Sequence, residues 1–285
     1  MKRMLKDIAI LIRPHHWVKN LLVVAPSFFG EIVFKNSGNF LIILMAFTAF
    51  SFISSAGYII NDLLDSKQDK LHPKKKKRPL ASGRISKNIA LIIISVLFTL
   101  SILISLKINI YFLLTCLIYL FVTTLYSLIL KKIVVVDALC IAAGFLLRII
   151  AGGFALNVHV SNWLYLTTLL LSLLLAFGKR RGELDLVKKG HIFREVLNHY
   201  NEKFLDRSII FLALASIITF SVYSIGEGWK IFITTTPFIC FGTLRYLHLI
   251  KHRSKSDPTE ALLKDRWMFI SVLSWIILFG LIIYI

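Results

Sequence analysis

The sequence predicts an all-α protein, a polytopic integral membrane bundle of about nine transmembrane helices around a central cavity open to the cytoplasmic face. Two observations carry this prediction. The 285-residue chain is 57% hydrophobic and has a mean hydropathy of +0.76, more than a soluble domain with a polar surface needs. Its apolar residues also gather into long stretches separated by charged segments. We treat residues 1–285 as a single transmembrane domain.

Nine stretches are apolar and long enough to be spans. A helix that crosses the hydrocarbon core needs about 20 mainly apolar residues. The first stretch is the weakest, because Pro26 and Gly30 interrupt it. The stretches lie near residues 17–34, 40–62, 88–106, 109–130, 133–156, 161–178, 208–226, 231–250 and 267–285.

Basic residues are distributed unequally between the two sides of this arrangement. With the loops taken alternately, 30 of the 34 Lys and Arg residues lie on the side of the N-terminus, and Lys35, Lys107 and Lys230 lie on the other. This asymmetry predicts a multi-pass protein of the inner (plasma) membrane with a cytoplasmic N-terminus and a C-terminus on the opposite side. The net charge of +19 is explained by these loops, which we expect to contact anionic membrane lipids. No nucleic acid partner is predicted.

The segment most informative about function covers residues 61–84 and reads NDLLDSKQDKLHPKKKKRPLASGR. Asn61, Asp65 and Asp69 recur every four residues, so they lie along one face of a helix, with Asp62 on its flank. Oxygen ligands of this kind bind a hard cation such as Mg²⁺. A run of cations follows and suits a polyanion: Lys70, Lys74, Lys75, Lys76, Lys77 and Arg78. The segment therefore predicts a site for a metal-bound diphosphate, since membrane topology alone requires no acidic residues here.

Polar residues at two other helix ends admit two interpretations each. Residues 13–20 read RPHHWVKN, and Arg13 and Lys19 either bind substrate or anchor the chain at the interface. Tyr126 and Lys131 either hydrogen-bond a phosphate or belong to an aromatic belt with a topology charge.

Two ionisable residues lie inside the predicted fifth span. A charge at this depth costs about 3 kcal/mol or more, so it needs a partner or a wet cavity. Asp137 and Arg148 are 11 residues apart, close to a whole number of turns, and are predicted to face one interior. Arg148 either contacts an anionic substrate or belongs to a structural ion pair. The small residues around it, Gly144, Ala151, Gly152 and Gly153, are expected to allow close helix packing.

A second charged cluster, GKRRGELD at residues 178–185, follows the sixth predicted span. Lys179 and Glu183 are neighbours on a helix face because they are four residues apart. With Arg180 they form a second half of the site, or else a charge that stops membrane transfer. The chain shows no Ser-His-Asp or Cys-His array, which favours direct displacement over covalent catalysis.

These motifs together resemble the UbiA superfamily of membrane prenyltransferases, and within it the polyprenyl-phosphate (decaprenyl-phosphate) phosphoribosyltransferase branch. The resemblance covers almost the whole chain. The similar stretches are RPxxWVKN at 13–20, NDxxDxxxDxxHPxKxxRP at 61–79, YSxxLK at 126–131, GFxxR at 144–148, GKRxxEL at 178–184, and the late Asp265-Arg266.

The resemblance implies transfer of a 5-phosphoribosyl group from phosphoribosyl pyrophosphate to a polyprenyl phosphate, with Mg²⁺ and loss of pyrophosphate. It assigns Asn61, Asp65 and Asp69 to the metal–diphosphate. We expect catalytic roles for Asp65, Asp69 and Arg148. The acceptor phosphate is the nucleophile at ribose C1, so no general base is needed, and the anomeric configuration is expected to invert. The substrate-binding residues are expected to be Arg13, Lys19, Asp62, Lys75, Arg78, Tyr126, Lys131, Asp137, Lys179, Arg180 and Glu183.

One departure from the wider superfamily separates the possible donors. Aromatic prenyltransferases carry a second DxxxD after the sixth span, where this chain has Lys179 and Glu183. The exchange fits a donor whose extra 5-phosphate needs a cationic clamp. Two alternatives stay open, namely an aromatic prenyltransferase that uses prenyl diphosphate and a non-enzymatic membrane transporter.

Overall fold

Every regular element among the described residues is a helix. The computed structural model describes residues 2–33, 35–71, 75–188, 195–226, 235–253 and 258–284, and in these ranges no strand occurs. The all-α prediction is confirmed. The α-helices are α1 (Lys2–Ile12), α2 (Ala25–Phe29), α3 (Ser37–Leu71), α4 (Lys87–Ile108), α5 (Ile110–Leu128), α6 (Val136–Ala155), α7 (Asn162–Lys188), α8 (Glu202–Gly226), α9 (Thr236–Arg253), α10 (Pro258–Lys264) and α11 (Arg266–Tyr284). Short 3₁₀ helices lie at Pro14–Val23, Lys75–Lys77, Leu130–Lys132 and Glu195–His199.

Six of these helices, α3 to α8, are long and apolar enough to cross a membrane. A seventh span results if α10 and α11 are taken together, although they are bent by 87° at their junction. The structure therefore confirms a polytopic membrane protein but does not confirm nine spans in the part of the chain that it describes.

The predicted first and eighth spans account for most of the difference. Between residues 17 and 34 the chain forms the end of a 3₁₀ helix and then α2, which is five residues long. Pro26 lies in the first turn of α2, where its missing N–H prevents a longer helix from continuing through this point. The eighth predicted span, 231–250, includes residues 231–234, which lie outside the described residues, and α9 ends in a basic stretch.

The chain forms two compact units, and the first comprises Met1–Ile133 and Leu147–His159. One of its cores joins α3 to α5 through buried aromatic and aliphatic residues that include Phe50, Phe112 and Tyr119. A second core packs α1 and α4 against α3, with Leu11 and Ile59 fully buried. The connection between the 3₁₀ helix Lys75–Lys77 and α4 closes this second core through Leu80 and Ile85.

Gly152 allows a close approach within the first unit. A Cβ atom at this position would lie 2.1 Å from the carbonyl oxygen of Val23 and 3.0 Å from Cδ of Pro26. No larger residue fits without moving backbone, so the predicted packing role for Gly152 is confirmed.

The second unit comprises Val134–Leu146 and Val160–Ile285. Its core is built from α7, α8, α9 and the 3₁₀ helix Glu195–His199, with Leu174, Leu205, Leu249 and Leu197 almost wholly buried. Arg181 on α7 adds polar links, because it donates hydrogen bonds to Glu202 at 2.5 Å and to Asp206 at 2.6 Å. Both carboxylates lie on α8, so Arg181 ties the two helices together.

Candidate functional site

Helix α3 continues well beyond its apolar part and ends in a polar segment. Three carboxylates there, Asp62, Asp65 and Asp69, are only 2%, 7% and 3% exposed. Because they are three and four residues apart, they lie on one side of the helix. Lys67 and Lys70 of the same segment are exposed. We call Asp62, Asp65 and Asp69 the acidic face.

Two arginines and a lysine neutralise the ends of the acidic face. Asp62 Oδ1 accepts hydrogen bonds from Arg13 Nη2 at 2.5 Å and from Arg78 Nη1 at 2.9 Å. The same Arg78 nitrogen donates to Asp69 Oδ2 at 2.6 Å, and Lys75 Nζ lies 3.9 Å from Asp69 Oδ1. Arg78 therefore bridges two carboxylates seven residues apart.

Asp65, in the middle of the acidic face, is held by Lys131. The ammonium group of Lys131 forms an ion pair with Asp65 Oδ1, and Asn61 Nδ2 donates to Oδ2 at 3.3 Å. Ser127 Oγ in turn donates to Asn61 Oδ1 at 3.0 Å. The paired cations of the acidic face, as we call them, are Arg13, Lys75, Arg78 and Lys131.

The loop after α3 is fixed in place by Arg84. Its guanidinium pairs with the buried carboxylate of Asp7 on α1 at 3.0 Å and donates to the carbonyl oxygen of Lys77 at 2.7 Å. Gly83 next to it has φ 75°, a backbone conformation that glycine adopts without strain. These contacts hold the segment from which Arg78 reaches the acidic face.

The donor set of the acidic face fits a hard divalent cation. Carboxylate oxygens and the Asn61 amide oxygen are ligands that Mg²⁺ accepts, and Mg²⁺ commonly uses one or two carboxylates together with substrate phosphates. The described residues contain no group of three or more His, Cys, Asp or Glu that could hold a metal by themselves. By their donor chemistry, Asn61, Asp65 and Asp69 suit a metal that also takes oxygen ligands from a diphosphate.

Arg148 lies at a different level of the first unit. Its Nε donates to Asn20 Oδ1 and its Nη2 to the Tyr119 hydroxyl, both at 2.9 Å. Its guanidinium carbon also lies 5.5 Å from the ring centroid of Phe50 and 4.8 Å from that of Tyr119, where cation–π attraction operates. Arg148 is 4% exposed, and its predicted role in substrate binding or in structure stays a prediction.

Asn20 connects this arginine to α3. Its Nδ2 donates to Ser51 Oγ and Ser54 Oγ, both at 3.1 Å. Ser54 precedes Asp62 by eight residues, which corresponds to about 12 Å along the helix. The polar cluster around Arg148 is thus separated from the acidic face by two turns of α3.

In the second unit, Asp137 and Arg180 form a buried ion pair. They are 0% and 1% exposed, and Arg180 Nε donates to Asp137 Oδ2. Arg180 Nη1 also donates to Glu183 at 2.6 Å. Asp137 and Arg148 each have partners of their own, and their facing one interior stays a prediction.

Tyr200 completes this second cluster. Its hydroxyl donates to Asp137 Oδ1 at 2.5 Å and accepts from the backbone N–H of Val135 at 2.9 Å. Burial raises the pKa of the Tyr200 hydroxyl, and the hydrogen bond to Asp137 acts in the same direction, so the group stays a neutral donor. Val135 has φ 69°, a strained conformation for a β-branched residue.

Three further predicted substrate-binding residues lie on other elements. Lys19, Tyr126 and Lys179 are half-buried on the 3₁₀ helix 14–23, on α5 and on α7. Of the residues 61–84 motif, His72, Pro73 and Lys74 lie outside the described residues.

Sequence reasoning missed three residues that organise these clusters. Asn20 belonged to a noted motif, but nothing in the sequence indicated that it would bind an arginine on another helix. Ser127 was noted beside Tyr126 without a role. The role of Tyr200 could not be predicted, because it precedes α8 in a stretch that shows neither helical periodicity nor a motif that would pair it with Asp137.

Comparison with known proteins identifies the family. Residues 23–273 match the profile of the UbiA prenyltransferase family. The chain belongs to this family. Membership in it makes the chain a member of an enzyme class and an integral membrane protein, and the all-helical structure agrees.

Two similar proteins of known name cover nearly the full length. The decaprenyl-phosphate phosphoribosyltransferase of Mycolicibacterium smegmatis is 30% identical over 308 residues, which cover 99% of this chain and 94% of that protein. The protein of the same name from Corynebacterium glutamicum is 30% identical and covers 96% of this chain and 86% of its own length. The resemblance to this branch is confirmed at the level of sequence.

A solved structure supports the fold. A UbiA homologue from Archaeoglobus fulgidus, bound to GPP and Mg²⁺, superposes with a TM-score of 0.74 over 98% of this chain and 100% of that chain, at 23% identity. At this identity the likeness establishes the UbiA fold and nothing about the substrate.

Proposed function

We propose that the protein transfers a 5-phosphoribosyl group from phosphoribosyl pyrophosphate to a polyprenyl phosphate and releases pyrophosphate. The observation that carries the proposal is the buried acidic face of α3 with its four paired cations. Carboxylates for a metal and cations for phosphates are the two groups that a metal-bound diphosphate requires. The names of the mycobacterial and corynebacterial relatives support the choice of donor and acceptor.

In this reaction the paired cations bind the diphosphate of the donor. Arg78 and Arg13 present planar guanidinium groups, which suit bidentate binding of phosphate oxygens. Lys75 and Lys131 act as point charges on flexible stems. Together they would stabilise the negative charge that develops on the leaving pyrophosphate. Mg²⁺, held through Asn61, Asp65 and Asp69, would supply further charge neutralisation.

The acceptor is already an anion at neutral pH, so its phosphate oxygen attacks ribose C1 without a general base. The C1–oxygen bond to pyrophosphate breaks as the new bond forms, which predicts inversion at the anomeric carbon. Positive charge on the ribose ring would be stabilised by the acceptor oxygens and by carboxylates of the acidic face. Determining the anomer of the product tests this step, and retention would contradict it.

For Arg180, we replace the predicted direct contact with substrate by a positioning role that involves Glu183. Arg180 is 1% exposed and engages Asp137 and Glu183. We therefore expect Arg180 to position its neighbours. Lys179, half-buried on α7, stays a predicted contact of the donor's 5-phosphate.

The membrane orientation is part of the proposal. The Lys and Arg distribution predicts that the N-terminus and the acidic end of α3 lie on the cytoplasmic side of the plasma membrane, where a water-soluble donor is accessible. Single cysteines Lys76→Cys and Lys107→Cys, introduced after Cys116, Cys140 and Cys240 have been replaced by serine, test it. An impermeant maleimide added to intact cells should label Lys107→Cys only, and the reverse pattern would contradict the orientation.

The reaction itself is tested with purified protein in liposomes that contain polyprenyl phosphate and Mg²⁺. Radiolabel from phosphoribosyl pyrophosphate should move into the organic phase with the wild type and fall by at least about 100-fold with Asp65→Asn, since loss of one electrostatic contact in an active site costs about 10²–10³ in rate. Lys76→Met, on the exposed part of the same loop, is the control.

Turnover of a prenyl diphosphate with an aromatic acceptor, and none of the ribosyl donor, would move the protein to the aromatic branch. The transporter alternative has lost ground because the family is an enzyme class.

A further inference from the structure

The acidic face and its paired cations occupy each other in the structure. Both oxygens of Asp69 are engaged, one by Arg78 and one by Lys75. Both oxygens of Asp65 are engaged as well, by Lys131 and Asn61. A metal ion that binds these carboxylates therefore has to compete with cations that already hold them.

The burial of the acidic face explains why cations are needed there. An ionised carboxylate removed from water is costly unless it is paired, and the three carboxylates are each less than a tenth exposed. The four paired cations exceed the three carboxylates by one positive charge. The cluster is thus neutralised and retains a slight preference for an anion.

The side chains of the paired cations are more exposed than those of the carboxylates, at 12–28% against 2–9%. The acidic residues lie on a continuous α-helix. The side chains of Lys75 and Arg78 are 28% and 25% exposed and belong to the loop after α3. Lys131 lies on a three-residue 3₁₀ helix. Long side chains on such elements can turn toward a phosphate while the carboxylates stay in place. The buried Arg180, at 1% exposed, offers a contrast.

We propose that the paired cations are exchangeable: they hold the acidic face and turn to phosphate oxygens when a metal–diphosphate binds, leaving the carboxylates to the metal. This inference rests on the proposed metal–diphosphate site. A metal alone would leave the cations without a partner beside a new positive charge. A diphosphate alone would leave buried carboxylates unpaired beside a polyanion. Each ion therefore binds weakly by itself, and the two are coupled.

The coupling gives opposite effects for the two probes. Removing one paired cation frees a carboxylate for the metal and at the same time removes a ligand of the diphosphate. Lys131→Met acts on Asp65, whereas Arg78→Met acts on Asp62 and Asp69, so two independent variants probe different carboxylates. Coupling between sites amounts to about 5–150-fold in affinity.

The experiment measures binding to the full-length protein in detergent, without ribosyl donor or lipid acceptor. Binding of Mn²⁺ alone is followed by the electron paramagnetic resonance signal of the free ion. Binding of inorganic pyrophosphate alone, with a chelator present to remove divalent metal, is followed by calorimetry. Lys131→Met and Arg78→Met should each bind Mn²⁺ at least about 5-fold more tightly than wild type and bind pyrophosphate more weakly. Lys76→Met, which removes the same charge from an exposed position, should change Mn²⁺ affinity by clearly less.

A double variant controls for nonspecific charge effects and for misfolding. Asp65→Asn with Lys131→Met removes the whole pair and leaves no unpaired buried charge, and it should lose the gain in Mn²⁺ affinity. The proposal is overturned if Lys131→Met and Arg78→Met bind Mn²⁺ no more tightly than Lys76→Met. Such a result would leave the transfer assay untouched, and a failed transfer assay would leave the exchange in place for a different diphosphate donor.

Discussion

The sharpest stability prediction concerns Asn20, which links three helical segments through one amide. Asn20→Leu keeps a side chain of similar size but removes the acceptor of Arg148 Nε and the donor to Ser51 and Ser54. The serines lose little, because Ser54 Oγ also donates to the carbonyl oxygen of Ser51 at 3.0 Å. The main cost is a buried guanidinium nitrogen without its acceptor, so we expect about 2–4 kcal/mol of destabilisation.

This loss is large against a total stability of about 5–15 kcal/mol. It is measured by titrating purified variants in mixed micelles with sodium dodecyl sulfate and following helix content by circular dichroism. Asn20→Asp is the matched control, because it keeps an acceptor for Arg148 and should lose clearly less stability. An Asn20→Leu variant as stable as the wild type, or less affected than Asn20→Asp, would refute the argument that Asn20 supplies the hydrogen-bond acceptor that the buried Arg148 guanidinium requires.

Two further predictions use the same titration. Tyr200→Phe removes the donor to Asp137 and the acceptor for the Val135 N–H, so it should lower the free energy of unfolding by about 1–3 kcal/mol. The control, Tyr111→Phe at an exposed position, should change it very little. Equal effects of the two substitutions would contradict the role of Tyr200. Gly152→Ala places a Cβ atom 2.1 Å from a backbone oxygen and should destabilise the protein by about 1–3 kcal/mol or more. Gly242→Ala, whose Cβ atom would have its nearest neighbour at 3.5 Å, should be neutral or stabilise the protein by up to about 1 kcal/mol. A Gly152→Ala variant as stable as the wild type would show that the backbone moves to accommodate the methyl group.

The acidic face could be predicted because its logic is local. Helical spacing places Asn61, Asp65 and Asp69 on one side of α3 without knowledge of any other helix. The proximity of the basic loop to them also follows from the sequence, since Arg78 is nine residues after Asp69. The contact of Lys131 could not be predicted in this way, because only the fold brings the 3₁₀ helix after α5 to the acidic face.

Long-range partners could not be read from the sequence. The ion pair between Asp137 and Arg180 joins residues 43 apart, and the hydrogen bond between Asn20 and Arg148 joins residues 128 apart. Helical periodicity shows that such residues are inside but not which of them meet. The interpretation of Arg148 as a residue that binds substrate rested on its depth alone, and its neutral partners Asn20 and Tyr119 supply another reason for that depth.

The nine spans that hydropathy predicts are not confirmed in the part of the chain that the structure describes, and one reason is physical. Hydropathy records how apolar a stretch is but not whether its backbone can continue as one helix. Pro26 and the 3₁₀ helix before it interrupt the first predicted span. Polar side chains of this 3₁₀ helix pack on α3, where the Trp17 indole N–H donates to Ser55 Oγ at 3.0 Å.

The central claim is that the acidic face serves a ribosyl diphosphate donor and a lipid phosphate acceptor. The most direct measurement is the mass of the lipid product formed by purified protein in liposomes that offer both donors, phosphoribosyl pyrophosphate and a prenyl diphosphate, together with polyprenyl phosphate. We predict a polyprenyl phosphate that gains one phosphoribosyl group, with formation abolished in Asp65→Asn. A product that gains a prenyl group instead, or a phosphoribosyl product made equally well by Asp65→Asn, would contradict the account.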